Sequence, residues 1–206
     1  GIKNISKERI LAELFKILST KNFIKLNNYE SLKEIFLLIF PEFKYLKRFN
    51  KLTDVPKQIY IDKYILLAIL LIDDTNNHEY FSHKYNVSNE LKESLNLLAS
   101  NFIKFYENKK FFQKNLKKNI FYFVKNNLKK LNLIYFSNDK KYKLQDYLKT
   151  SKTIQEVSLP KFPFDGNYLK NRGIKEGALI GQVLKLLENE WLNNDFKISK
   201  HRISQI

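Results

Sequence analysis

Residues 160–181 hold four of the chain's five glycines and two of its four prolines, so its strongest turn-formers are gathered in one place. Upstream, only Pro41 and Pro56 punctuate the chain, which leaves room for long helical runs. Within the stretch, Gly166, Gly173, Gly177 and Gly181 permit positive φ and close backbone approach, which other residues resist. The spacing predicts a turn at Gly166, a short helix over 167–171, a left-handed cap at Gly173, and then a long helix. Ile180, Val183, Leu184, Leu187 and Trp191 follow the i, i+3, i+4, i+7 rule of one buried helix face.

Helical signals also run through the residues upstream. Ser6 can cap a first helix, with Glu8 placed to suit its dipole and Ile10, Leu14, Ile17 and Leu18 at helical spacing. A second helix is expected over 28–40, ending at Pro41. A short helix and loop follow over 42–57, then a buried helix over 58–72 that stops at the Asp73-Asp74-Thr75-Asn76-Asn77 turn. Further helices are expected over 78–85, from a Ser88 cap to Tyr106, over 109–131 and over 139–148, with a loop over 150–161. Strand-like alternation is absent. The expectation is therefore an all-α chain, an irregular multi-helix array without a sheet.

Thirty-seven basic against 21 acidic residues give a net charge of +16. Such a surplus points to an anionic partner, nucleic acid first and an acidic membrane surface second. Lysine supplies nearly all of it, since only Arg9, Arg48, Arg172 and Arg202 are arginines; an AT-biased coding sequence gives the same bias with no binding role. The absence of cysteine excludes disulfides and thiolate metal sites and fits a reducing cytoplasm. The longest uncharged apolar run, Tyr64 to Ile72, has nine residues and is too short to span a bilayer. With no methionine and an opening at Gly1 just before a helical pattern, the chain reads as a processed or engineered fragment of something longer.

No catalytic set is visible. The chain has no Asp-x-Asp pair for magnesium, no glycine-rich phosphate loop ending in Lys-Ser/Thr, and no His-Glu-x-x-His pattern. His78, His83 and His201 read as surface or loop residues, and Asp73-Asp74 as a helix-end cap or a solvent-facing pair. Binding features remain. Nine lysines fall within residues 104–130, opposed only by Glu107. Lys110, Lys114, Lys117 and Lys118 recur at helical spacing and are expected to form one cationic face able to track phosphates. Phe111, Phe112, Phe121, Tyr122 and Phe123 would pack the opposite face as core. A second cluster, Lys170, Arg172 and Lys175, surrounds the Gly173 turn at the start of the last long helix, where free backbone N–H groups suit an anion.

Several stretches resemble one family. Ile5-Ser6-Lys7-Glu8-Arg9-Ile10-Leu11-Ala12-Glu13-Leu14 is similar to the neck-helix motif (Ser-x-Glu-Arg-Ile-x-x-Glu-Leu) of the tRNA nucleotidyltransferase/poly(A) polymerase family. Leu38 to Glu42 resembles its next marker, an apolar helix ending in Pro-Glu, and Phe81 to Leu98, with Val87-Ser88-Asn89, resembles a body helix. The segment from Phe162-Pro163-Phe164 to Phe196 looks like the tail of the bacterial class II enzymes. It departs from that pattern where Tyr168 stands for an Asp, and where Glu176 and Ala178 stand for the prolines flanking Gly177.

The resemblance implies a neck over 1–57, a body over 58–150 and a tail over 151–206, with the catalytic head absent. Magnesium and CTP/ATP would then belong to the full-length parent, and this part would carry no cofactor. By the same resemblance Ser6, Glu8 and Arg9 would brace the nucleotide-selecting helix of the head. Body and tail would grip tRNA, or another structured RNA, by backbone and shape for CCA addition at its 3′ end, in the cytoplasm and without a membrane. The alternatives are a poly(A) polymerase fragment of the same family, or a non-enzymatic helical adaptor that binds protein or acidic membrane.

Overall fold

The computed structural model describes residues 5–20, 22–107, 111–112, 116–174, 177–199 and 201–202. Among them every regular element is helical, as expected, and no strand occurs. The chain divides into two compact units, Gly1–Val157 and Ser158–Ile206. The stretches expected as neck and body share the first.

Two helices open that unit: α1 (Lys7–Leu18) and α2 (Glu30–Ile39), with a 3-10 helix, Phe23–Asn28, between them. A second 3-10 turn, Leu46–Arg48, leads into α3 (Phe49–Leu52). Next come α4 (Lys63–Leu71), α5 (Asn77–Lys84), α6 (Asn89–Glu107), α7 (Leu116–Asn138) and α8 (Leu144–Glu156). The hub is α4. Ile65 to Leu71 are all buried, as befits a helix that is apolar on every side. It packs against α1, α5, α6 and α7. It starts at Lys63 rather than residue 58 because the Asp62 carboxylate caps the backbone N–H groups of Tyr64 (2.9 Å) and Ile65 (2.8 Å).

The other end of α4 is closed by a buried cation. Arg48 donates from Nη1 to the carbonyls of Ile69 (2.8 Å) and Ile72 (2.6 Å), and from Nε to Asn138 Oδ1 (3.0 Å). Its guanidinium lies 4.0 Å from the centre of the Tyr45 ring. Burial pulls its pKa down to about 10, which still leaves it charged at neutral pH. Asp73, expected as a cap or a solvent-facing residue, is buried. It accepts from the Tyr45 hydroxyl (3.0 Å), the Thr75 backbone N–H (2.8 Å) and the Thr75 hydroxyl (2.6 Å), and so shapes the turn into α5. Beside this network, rings of Phe23, Phe36, Phe40, Phe43, Phe81 and Tyr85 pack at centroid distances of 4.7 to 5.7 Å.

Further expected boundaries move in α7 and α8. Phe111 and Phe112 form a turn and α7 begins at Leu116, so the helix expected over 109–131 is not continuous. Its later part runs on to Asn138, and it kinks at Val124, whose φ of 61° lies outside the helical region. The loop expected over 150–161 is mostly helix, since α8 extends to Glu156. Tyr147 and Ile154, seven residues apart, are buried on one side of α8, with Tyr147 stacked on Phe136 of α7 at 5.0 Å. That packing overrides the weak helix preference of the Thr/Ser-rich segment.

The second unit contains α9 (Gly166–Lys170) and α10 (Ala178–Asn193) around a cluster of Phe164, Leu169, Ile180 and Leu187. Only two of its glycines use positive φ: Gly173 at 85° and Gly177 at 107°. Gly166, expected at a turn, opens α9 instead, and Gly181 lies inside α10. The face read from sequence is the buried one, with Ile180, Leu187 and Trp191 covered.

Candidate nucleic-acid interface

In the second unit the Asp165 side chain caps α9 by accepting from the Tyr168 N–H (2.8 Å). Its C-terminal end closes as a Schellman motif. The Ile174 N–H reaches back to the Leu169 carbonyl (3.2 Å), the Gly173 N–H to the Lys170 carbonyl (2.9 Å), and Gly173 takes the left-handed conformation between them. Ile174 then packs against the cluster that holds Leu169. Lys170 and Arg172 are thereby held, exposed, on a turn with a fixed backbone. The Arg172 guanidinium sits 5.0 Å from the Tyr168 ring centre, so Tyr168 gives that arginine an aromatic neighbour. Lys175 lies outside the described residues.

Along α7 the lysines divide by role. Lys117 is exposed and Lys118 half-buried; Lys110 and Lys114 lie outside the described residues. The four-lysine face expected from periodicity therefore falls partly outside the described residues. Lys125 donates to the Gln155 carbonyl (2.7 Å) and Lys129 to the Gln155 side chain, so these two cations fasten α8 to α7. Lys51 likewise closes the end of α7, donating to the carbonyls of Asp139 and Tyr142, both at 2.7 Å. Burial lowers its pKa. Sequence reasoning missed this internal use of cations, because no pattern separates a lysine that caps carbonyls from one that faces water. Of the aromatics expected as core, Phe111 and Phe112 are buried, whereas Tyr122 is half exposed.

At the start of the chain, the Ser6 hydroxyl accepts from the Arg9 N–H (3.3 Å), the expected N-cap. Glu8 accepts from the Asn86 side-chain amide at 2.8 Å, and that bond above all lowers its pKa. Asn86 has φ 50° just beyond α5, a left-handed position that Asn tolerates. Arg9 is exposed on the same turn of α1. Glu42, in the Pro-Glu marker, is buried and pairs with Lys84.

His83 and His201 are exposed, but His78, expected at the surface, is buried in α5. Among the described residues no group of three or more His, Asp or Glu side chains is placed to hold a metal ion. Nor is any described helix long and apolar enough to cross a membrane. Known protein-family models and curated proteins were both compared with the chain, and neither comparison returns a match.

Proposed function

We propose that this chain is an RNA-gripping part of a CCA-adding tRNA nucleotidyltransferase, acting in the cytoplasm on tRNA or a similarly structured RNA. Magnesium-assisted transfer from CTP and ATP would belong to a separate head domain of the full-length parent. The supporting observation is the tail turn. A rigid Schellman motif presents Lys170 and Arg172 together on the surface of a strongly basic helical chain. Backbone phosphates of a folded RNA are the anions that such a fixed pair of cations suits, and they are read by position rather than by base.

Arg172→Glu tests it. The substitution replaces an exposed side chain, so thermal unfolding is expected to stay within about half a kcal/mol of the parent. Affinity for tRNA is expected to fall, and its salt slope to become shallower by about 1 to 2. Unchanged affinity would remove the tail turn from the interface. Competition between tRNA and poly(A) separates the two family activities: preferential displacement by poly(A) would favour the polymerase.

A further inference from the structure

The surplus charge of the first unit is unevenly placed. Residues 104–157 hold fourteen lysines against four acidic residues, whereas residues 1–103 hold fifteen basic against twelve acidic ones. The end of α6, α7 and α8 therefore carry most of the net charge of +16. Folding does not spend the carboxylates of this segment on its ammonium groups alone. Asp139 accepts from the Tyr135 hydroxyl (2.5 Å) and the Lys141 backbone N–H (2.7 Å), and Asp146 from the Lys143 backbone N–H (3.3 Å). Glu156 lies 3.7 Å from Lys152, a pair open to water and so worth little.

These lysines stand on a stiff support. Asn132 of α7 is fully buried and donates to the Tyr147 carbonyl (3.1 Å) and the Ser151 hydroxyl (2.8 Å) of α8. Tyr147 also stacks on Phe136, which leaves the side of α8 that carries Tyr147 and Ile154 buried. Lys149 and Lys152 are exposed on the opposite side, and Lys140, Lys141 and Lys143 are exposed in the turn that leads into α8. From residue 143 to residue 152 the helix rises about 14 Å, a length over which a duplex presents several phosphates. The rings nearby do not share this surface. Phe136 and Tyr147 are buried, and Tyr142 is half-buried with its hydroxyl 2.9 Å from Asn132 Oδ1 and 2.8 Å from the Thr150 hydroxyl. No large apolar side chain of α8 is exposed either.

We propose that the outer side of α8 and the turn before it form a second contact surface, on which the backbone of a double-helical RNA stem lies; the inference rests on the RNA-gripping function above. Cations at fixed spacing on a packed helix meet phosphates, which position a nucleic acid without reading its sequence. Single-stranded sites add exposed rings on which bases stack, and this surface exposes none. Insertion among lipids needs an exposed apolar face beside the cations, and α8 buries its own.

The test measures binding of a short mixed-sequence RNA duplex, one of its strands alone, intact tRNA and phosphatidylserine vesicles across salt concentration. Two triple variants change the net charge equally. Lys140→Glu, Lys141→Glu and Lys149→Glu alter the proposed surface; Lys7→Glu, Lys25→Glu and Lys92→Glu alter exposed positions on α1, the first 3-10 helix and α6. The first triple is expected to make the log–log slope for duplex and tRNA shallower by about 2, and the second to leave it within about half a unit. Lys→Gln at the same three surface positions removes charge without adding any, and is expected to act like the first triple with the helical circular dichroism unchanged. Equal shallowing by the two triples, or a slope that the first leaves unchanged, removes this surface while the grip on tRNA stands. Tighter binding of the single strand than of the duplex, or binding of vesicles with none of duplex, also overturns the proposal. If the unaltered chain binds no RNA at all, the gripping function falls and this surface with it.

Discussion

Arg48 ties the end of α4 to the end of α7 within the first unit. Three of its hydrogen bonds end on two helix carbonyls and one asparagine, and the whole group is nearly out of water. A lysine has the charge but not the planar fork, so Arg48→Lys is expected to cost about 2 kcal/mol or more in urea unfolding. A loss under half a kcal/mol would show that the fork is not needed. His78 makes a second residue-scale prediction. Among the described residues its Nδ1 has no hydrogen-bond partner, and burial lowers its pKa below the ordinary histidine value. The unfolded chain therefore binds a proton near pH ~6.5 that the folded chain resists. Its contribution to stability is complete above that pH and is lost as pH falls below it. Unfolding midpoints should drop on acidification, and less so in His78→Asn; identical pH profiles for the two proteins would refute this. Neither burial was legible in the sequence. Arg48 carries a charge and follows Lys47, and His78 sits beside an Asn-rich turn, so neither residue type nor adjacent residue points to burial.

At the level of elements, the tail separates two uses of glycine. Gly173 occupies a left-handed cap that the Schellman motif requires, so Gly173→Ala is expected to destabilise by about 1 kcal/mol. Gly181 lies inside α10 and, apart from its own stretch of helix, no described residue comes within 4 Å of where a Cβ would stand, so Gly181→Ala is expected to stabilise by about 1 kcal/mol. Thermal melts of the two variants should move in opposite directions. A fall in both would mean that Gly181 is needed for something besides the helix. The Gly173 cap and the α10 face could be read from sequence because glycine placement and 3.6-residue periodicity agree there. The Val124 kink could not, because a β-branched residue gives no hint of positive φ. Nor could the full length of α8, which is set by Tyr147 and Ile154 packing on α7 rather than by its own residues.

Across the whole molecule, the all-helical class followed from confining the turn-formers to one stretch, and the structure shows it. The site was less legible because a lysine count does not distinguish structure from binding. Lys51, Lys125 and Lys129 close helix ends and join helices, while Lys117, Lys170 and Arg172 remain at the surface. If surface charge grips a folded RNA, as proposed, binding must weaken steeply as salt rises. The most direct measurement is the affinity of the chain for tRNA across a series of salt concentrations. A log–log slope of roughly −3 or steeper is expected, because several phosphates are neutralised at once. A flat slope, or no binding at low salt, would contradict it.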